Sequence, residues 1–190
     1  MTRKYQQKKR AENQAETRRR IVDAAVSLHT SIGPARTSIS AIASEAGVQR
    51  HTVYAHFPDE KSLYGACSAH WADLHPFPDA GSWAAIENPR ARFERALRDV
   101  YGWYASVADD MELFWRDALL VPEVGGVMDG YDRQTAELAD WLASGLGRRG
   151  EVRAAVGHAL AFETWRSLVR REGLTNARAV RAMASFVERV

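Results

Sequence analysis

A single cysteine, Cys67, leaves no room for an internal disulfide framework or a cysteine-rich metal site. No uninterrupted apolar run approaches the roughly 20 residues that a membrane-spanning helix needs. The N-terminal residues are basic and polar without an apolar core, which argues against a secretory leader and for a reduced, cytoplasmic setting. Strand-like alternation and internal repeats are also missing. So are a glycine-rich phosphate loop and a nucleophile elbow. His51 and His56, like His70 and His75, stand five apart, so each pair falls on different helix faces rather than at metal-ligand spacing. Cys67 has no evident basic partner. Neither an enzyme nor a resident metal or cofactor is expected.

What is present leans helical. There are 31 alanines, 46% hydrophobic and 26% charged residues, and few β-branched runs. The net charge of +2 conceals an asymmetry: residues 1–61 hold 11 Lys/Arg against 6 Asp/Glu, and residues 62–190 hold 15 against 18. A positive head on a mildly acidic body suits a phosphate-binding module joined to something else.

Residues 1–14 lack apolar periodicity and read as a flexible basic arm, with Arg3, Lys4, Lys8, Lys9 and Arg10 able to follow DNA phosphates or the minor groove. A helix is expected from about Glu16, with Ile21, Ala25, Leu28 and Ile32 on one face, until Gly33-Pro34 stops it. Ser38 is a good N-cap for a short second helix with Ile39, Ile42, Ala43 and Ala46 inward. Gly47 supplies the left-handed residue that ends it. A third helix follows from about Gln49 to His56, with Val53 and Phe57 as core. Pro58-Asp59-Glu60 opens a fourth, to about Leu74. Helices are then expected over 88–108, 111–121, 127–144, 151–172 and 175–190, punctuated by Pro122, Gly145/Gly147 and Gly173.

The pair Ser38–Ala46 and Gln49–His56, joined at Gly47-Val48, has the form of a helix-turn-helix. In such a unit the second helix enters the major groove while the first crosses the backbone. Its exposed positions, Gln49, Arg50, His51, Thr52, Ala55 and His56, are rich in donors; arginine suits guanine edges and glutamine suits adenine. An ordinary αα-hairpin with a wet polar face has the same spacing.

The residues go further than the spacing. Thr37-Ser-Ile-Ser-Ala-Ile-Ala-Ser-Glu-Ala-Gly-Val48, then Thr52-Val-Tyr-Ala-His-Phe57, then Lys61-Ser-Leu-Tyr64 resemble the TetR family of bacterial transcriptional regulators, over about 45 contiguous residues. The resemblance implies an all-α chain with a three-helix DNA-binding domain at 15–61 and a larger helical ligand-binding and dimerisation domain at 62–190. It implies phosphate contacts at Thr37, Thr52, Tyr54, His56 and Lys61, and base reading at Gln49, Arg50 and His51. Two departures stand out. His29 and Pro34 occupy positions where the family usually carries apolar or aromatic residues, and Gln49 replaces a small hydroxyl cap.

All six tryptophans fall after the reading module, and Phe93, Leu97, Tyr101 and Tyr104 share one helix face. An aromatic cavity is expected from Trp103, Tyr104, Phe114, Trp115, Trp141, His158, Phe162 and Trp165, against the plainer alternative of an aromatic core. His158 and Glu163 are its candidate polar groups, and a buried carboxylate among aromatics would favour a cationic ligand. The last two helices carry apolar sectors too wide for one partner, which with the resemblance implies a two-fold dimer through them. The expected function is a repressor released from a palindromic operator by a small-molecule effector. The alternative is a nonspecific nucleic-acid-binding protein using its basic arm.

Overall fold

The computed structural model describes residues 3–147 and 150–190, with side chains from Tyr5 onward. These residues form ten α-helices and no strand: α1 (Arg3–Ser31), α2 (Ile39–Glu45), α3 (Arg50–His56), α4 (Glu60–Leu74), α5 (Ala80–Ala84), α6 (Pro89–Asp117), α7 (Pro122–Ser144), α8 (Gly150–Leu160), α9 (Phe162–Trp165) and α10 (Asn176–Glu188). The fold is all-α, as the composition and patterning lead one to expect. No helix among the described residues is long and apolar enough to cross a membrane.

Ser38 caps α2 as expected, and three further helices start on a side-chain cap. Ser38 Oγ accepts from the Ala41 amide at 3.1 Å and Asp59 Oδ1 from Ser62 at 2.7 Å. Asn88 Oδ1 accepts from Ala91 at 2.9 Å and Thr175 Oγ1 from Arg178 at 3.3 Å. Each bond occupies one of the amides that a helix start leaves without an intrahelical partner, worth about 1 kcal/mol.

The helix boundaries differ from the sequence reading at several points. α1 begins at Arg3, so the segment expected as an arm without regular structure is helical; its Lys, Gln, Ala and Glu residues favour helix, and Lys8–Glu12 forms an i,i+4 pair. Ile32, expected inside, is 40% exposed. The helices expected over 88–108 and 111–121 are one, α6, because Asp109-Asp110 contains no breaker and Asp110 accepts from Trp71 Nε1 at 2.7 Å. α7 begins at Pro122 rather than 127, running through Gly125 where a Cβ would stand 2.8 Å from the Ala118 carbonyl oxygen. α5 has no counterpart in the reading.

The helix expected over 151–172 is broken. Ala161 is extended (φ −65°, ψ 138°), and Arg166–Arg171 is a π-helical stretch that ends near Gly173, which has φ 71°. No proline or glycine marks position 161. The tyrosines of α6 supply the compensation: Tyr101 donates to the Ala159 carbonyl at 2.9 Å and Tyr104 to the Leu160 carbonyl at 2.7 Å, serving acceptors that the break removes from the helix ladder.

The chain divides into two compact units. The first comprises Met1–His75 and Asp109–Met128, the second Pro76–Ala108 and Asp129–Val190. α4 belongs with the first unit because Leu63 and Cys67 are buried in one core with Ile21, Ala25, Ile42, Val53 and Phe57. In the second unit Phe93, Leu97, Tyr101 and Tyr104 of α6 are all buried, as their shared face requires, together with Leu142, Val156, Leu160, Phe162 and Trp165. Burying one such side chain contributes about 1.5–3 kcal/mol, so each core exceeds any single polar contact as a source of stability.

Candidate nucleic-acid interface

α2 and α3 meet at a turn whose geometry Gly47 makes possible. Its φ is 63°, and a Cβ there would stand 2.8 Å from Arg20 Nη2. Arg20 of α1 closes the back of the turn, donating to the carbonyls of Ala46 and Gly47. Behind α3, Val53 and Phe57 are fully buried, and the Arg18 guanidinium lies 4.2 Å from the centre of the Phe57 ring. The inner face is thus locked by packing and two α1 arginines. The outer face is free to meet a ligand.

On that outer face Gln49, Arg50, His51 and Tyr54 are exposed, while Thr52 and His56 are half-buried. Lys61 is exposed in the first turn of α4. Of the expected DNA-contacting residues, Thr37, Arg50 and Tyr54 line one cleft, with one qualification. Thr37 Oγ1 donates to the Gly33 carbonyl at 2.9 Å, so its proton is committed to the loop before α2 rather than offered to a phosphate. Gln49 sits at the N-cap of α3 without a side-chain cap bond, consistent with its replacing a hydroxyl residue there. Its amide is consequently left to solvent. Arg50 donates to Tyr54 Oη at 3.2 Å, with the guanidinium 5.6 Å from the Tyr54 ring centre.

A cleft of about 250 Å³ lies beside α3, lined by Thr37, Ser38, Ser40, Arg50, Tyr54 and Glu60 among others. Its inner residues include His29 and Tyr64, whose rings stack at 5.0 Å with a 4° interplanar angle. The position marked as a departure in the sequence is thus a packed aromatic partner. Burial holds the His29 pKa down to about 4, partly opposed by the Asp117 charge, so the ring is neutral at physiological pH. Ser38 was not among the expected contact residues; its place as N-cap and cleft lining could have suggested it.

The first unit is further tied by the end of α6. Arg116 and Asp117 pair in a fork, Nε to Oδ1 at 2.7 Å and Nη2 to Oδ2 at 2.9 Å, and Asp117 is 1% exposed. Asp117 Oδ2 accepts from the Ala35 amide at 2.9 Å, and Arg116 Nη2 donates to the Ile32 carbonyl at 3.1 Å. Hydrogen bonding to Arg116 first, and to Ala35 after it, lowers the Asp117 pKa.

The residues expected to line an effector cavity are distributed differently. Phe114 and Trp115 belong to the first unit, where Phe114 meets Trp71 edge-on at 5.4 Å. In the second unit Tyr104, Phe162 and Trp165 pack on one another at 5.2–5.8 Å and are almost fully buried, so they fill space in the core. Trp165 Nε1 donates to Asn176 Oδ1 at 3.0 Å, and Asn176 in turn donates to the Tyr101 carbonyl. Trp103 is half-buried between Phe77 and Tyr131, and Trp141 lies under Arg92 at 5.5 Å. His158 is exposed in the single chain, near Thr164 and edge-on to Phe186. Glu163 is exposed as well, which removes the buried carboxylate from the cationic-ligand argument. Both polar candidates are exposed, His158 on α8 and Glu163 on α9. Among the described residues no three His, Cys, Asp or Glu side chains are grouped to hold a metal.

Comparison with known proteins follows the same division. Residues 21–67 match the family model described as bacterial regulatory proteins, tetR family. No curated protein sequence matches the chain significantly. Among solved structures, a TetR-like transcriptional regulator from Rhodococcus sp. RHA1 superposes with a TM-score of 0.66 at 22% identity, covering 91% of this chain and 94% of its own. AibR, solved with isovaleryl coenzyme A and operator DNA, gives 0.64 at 18% identity over 90% and 97%. A transcriptional regulator from Saccharomonospora viridis, solved with choline, gives 0.61 at 20% identity over 92% and 96%. At these identities the structures show a shared fold. Residues 21–67, which carry the helix-turn-helix and its supporting helices, are thus similar to the bacterial regulatory proteins of the tetR family, and the rest of the chain shares the fold of the solved regulators.

Proposed function

We propose that the protein is a homodimeric transcriptional regulator that binds a palindromic operator through α3 and leaves it when a small molecule occupies the second unit. The observation that carries this reading is the two-sidedness of α3: Val53 and Phe57 are fixed in the core, while Gln49, Arg50, His51 and Tyr54 face solvent on a rigid seven-residue helix. A groove-reading helix needs that combination. Gln49 and His51 supply base-edge donors; Thr52, His56 and Lys61 flank them toward the backbone.

Two copies are needed because one seven-residue helix reads only a few base pairs. We assign dimerisation to α8 and α10. Phe186, 42% exposed, with His158, Ala154 and Gly157, leaves an apolar, small-residue surface on the single chain. A two-fold pair would present two reading helices about 34 Å apart, one turn of DNA. For the effector, the half-buried Trp103, with Phe77 and Tyr131 beside it, offers aromatic faces for an organic ligand. That AibR was solved with isovaleryl coenzyme A and the Saccharomonospora viridis protein with choline supports a small organic effector. Release requires the effector to prefer the conformation unable to hold DNA; affinity without that preference shifts nothing.

The experiment is selection of genomic fragments by the purified protein at near-physiological salt with excess competitor DNA, repeated with Tyr54→Ala. Enrichment of one palindrome that the variant loses supports the regulator. Equal binding of all fragments by both proteins favours the second reading, nonspecific binding by the basic start of α1, where Lys8, Lys9 and Arg10 are exposed.

A further inference from the structure

Arg50 and Tyr54 lie one helical turn apart, so both project from the same side of α3, while Gln49 and His51 flank that side. The Arg50 guanidinium donates to Tyr54 Oη and lines the 250 Å³ cleft with Ser38 and Ser40. It is thereby turned along the helix toward α2. Gln49 and His51 do not line that cleft.

The protons in the cleft are arranged to donate. Tyr54 Oη accepts from Arg50, which leaves its own hydroxyl hydrogen for an outside acceptor. Ser38 Oγ accepts from the Ala41 amide, which likewise leaves its hydrogen free to point outward. Thr37 is excluded by its bond to Gly33. The formal charges of the lining residues balance, and only because of Arg50. Arg50 is the cation among the lining residues, Glu60 the acid, and His29 is neutral. Without Arg50 the cleft would carry a net negative charge.

We infer that Arg50 is a phosphate ligand: with Tyr54 and Ser38 it forms a seat for one phosphate of the DNA backbone, and base reading falls to Gln49 and His51. This rests on the proposed DNA-binding function and refines it, since an arginine at the start of a reading helix is otherwise taken as a guanine reader. Tyr54 acts here as a positioning residue as well as a donor, holding the fork off the base edges.

The test compares wild-type, Arg50→Ala, Arg50→Lys, Glu60→Gln and Gln49→Ala on the site selected by the wild type, on each single-base variant of it, and on an unrelated duplex, across a salt series. Arg50→Ala is expected to lose a similar factor on every sequence, on the order of tenfold, and to lower the salt slope by about 1. Arg50→Lys keeps most of the affinity, because a point charge serves a phosphate but not a bidentate base contact. Glu60→Gln tightens binding to all duplexes, and Gln49→Ala alone flattens the preference at one position. A loss in Arg50→Ala confined to one base pair with the salt slope unchanged, and not rescued by lysine, overturns the assignment. If the wild type selects no sequence, the regulator reading fails, and the salt slope on the unrelated duplex still decides for or against Arg50 at a phosphate. Arg50 is exposed, so unchanged thermal unfolding of the variants confirms that binding alone is read.

Discussion

The amide nitrogen of Ala35, in the loop between α1 and α2, lies 2.9 Å from Oδ2 of Asp117, the last residue of α6. Residues 82 positions apart are thus joined through a carboxylate that is 1% exposed and forked by Arg116. The bond fixes the loop that leads into α2 of the helix-turn-helix. Replacing Asp117 by Ala leaves a backbone amide and a guanidinium without their acceptor. The expected loss is about 1–3 kcal/mol in denaturant unfolding, with DNA affinity reduced beyond what the unfolded fraction explains. Equal stability of variant and wild type would refute a structural role for the pair.

Gly33 supplies the space for that joint. Its φ is 93°, and a Cβ would stand 2.1 Å from Arg116 Nη2 and 2.5 Å from Asp117 Oδ2. Gly33→Ala is therefore expected to destabilise by more than the roughly 1 kcal/mol that left-handed backbone alone costs an alanine. Thermal unfolding of Gly33→Ala beside Gly173→Ala gives the comparison, because nothing lies within 4 Å of a Cβ at Gly173. Similar losses in the two variants would show that the Arg116–Asp117 fork yields easily.

His29 makes stability depend on pH. Its folded pKa, about 4, lies below the ordinary imidazole value of 6.5, mainly through burial. The unfolded chain takes up this proton near pH 6.5 and the folded chain does not. The contribution is therefore complete above pH 6.5, shrinks as pH falls, and is fully lost below about pH 4. The integrated effect is on the order of 3 kcal/mol. His29→Phe, which retains a ring against Tyr64, is expected to flatten the curve between pH 6.5 and 4 in urea titrations. An unchanged slope would mean that another group controls this range.

Tyr104 bonds two groups in the second unit. It donates to the Leu160 carbonyl at 2.7 Å, so the hydrogen between it and Tyr131 comes from Tyr131. Burial raises the Tyr104 pKa well above 10 and that of Tyr131 to about 12, so neither phenol ionises in the ordinary range. Tyr104→Phe should cost about 1–3 kcal/mol by leaving the carbonyl before the Ala161 break unserved. Hydrogen exchange would show the loss at α8 and α9; protection unchanged there would mean that the break needs no support from α6.

The helix-turn-helix is legible in residues 37–61 because its determinants are local. Ser38 caps α2, Gly47 reverses the chain, and Pro58-Asp59 starts α4, each acting within a few residues of itself. The buried positions Val53, Phe57 and Tyr101 follow as directly from 3.6-residue periodicity. The site list reads less well. Gln49, Arg50, His51 and Tyr54 could be placed on an outer face, but not the turning of Arg50 onto Tyr54 or the loss of the Thr37 proton to Gly33. Both are choices among partners that a one-dimensional pattern leaves equal.

By itself, then, the sequence determined that this protein is all-α, where its helix-turn-helix lies, and which residues of α3 turn inward, since capping, turn chemistry and helical periodicity are short-range forces. Only the tertiary structure decided that α4 shares the first unit's core, that His29 is a neutral ring stacked on Tyr64, and that Asp117 holds Ala35. It also decided that the helix breaks at Ala161, a position that no proline or glycine marks. In each case the deciding partner lies far away along the chain, and burial of the group, which sets the strength of its interaction, exists only once those distant segments have packed.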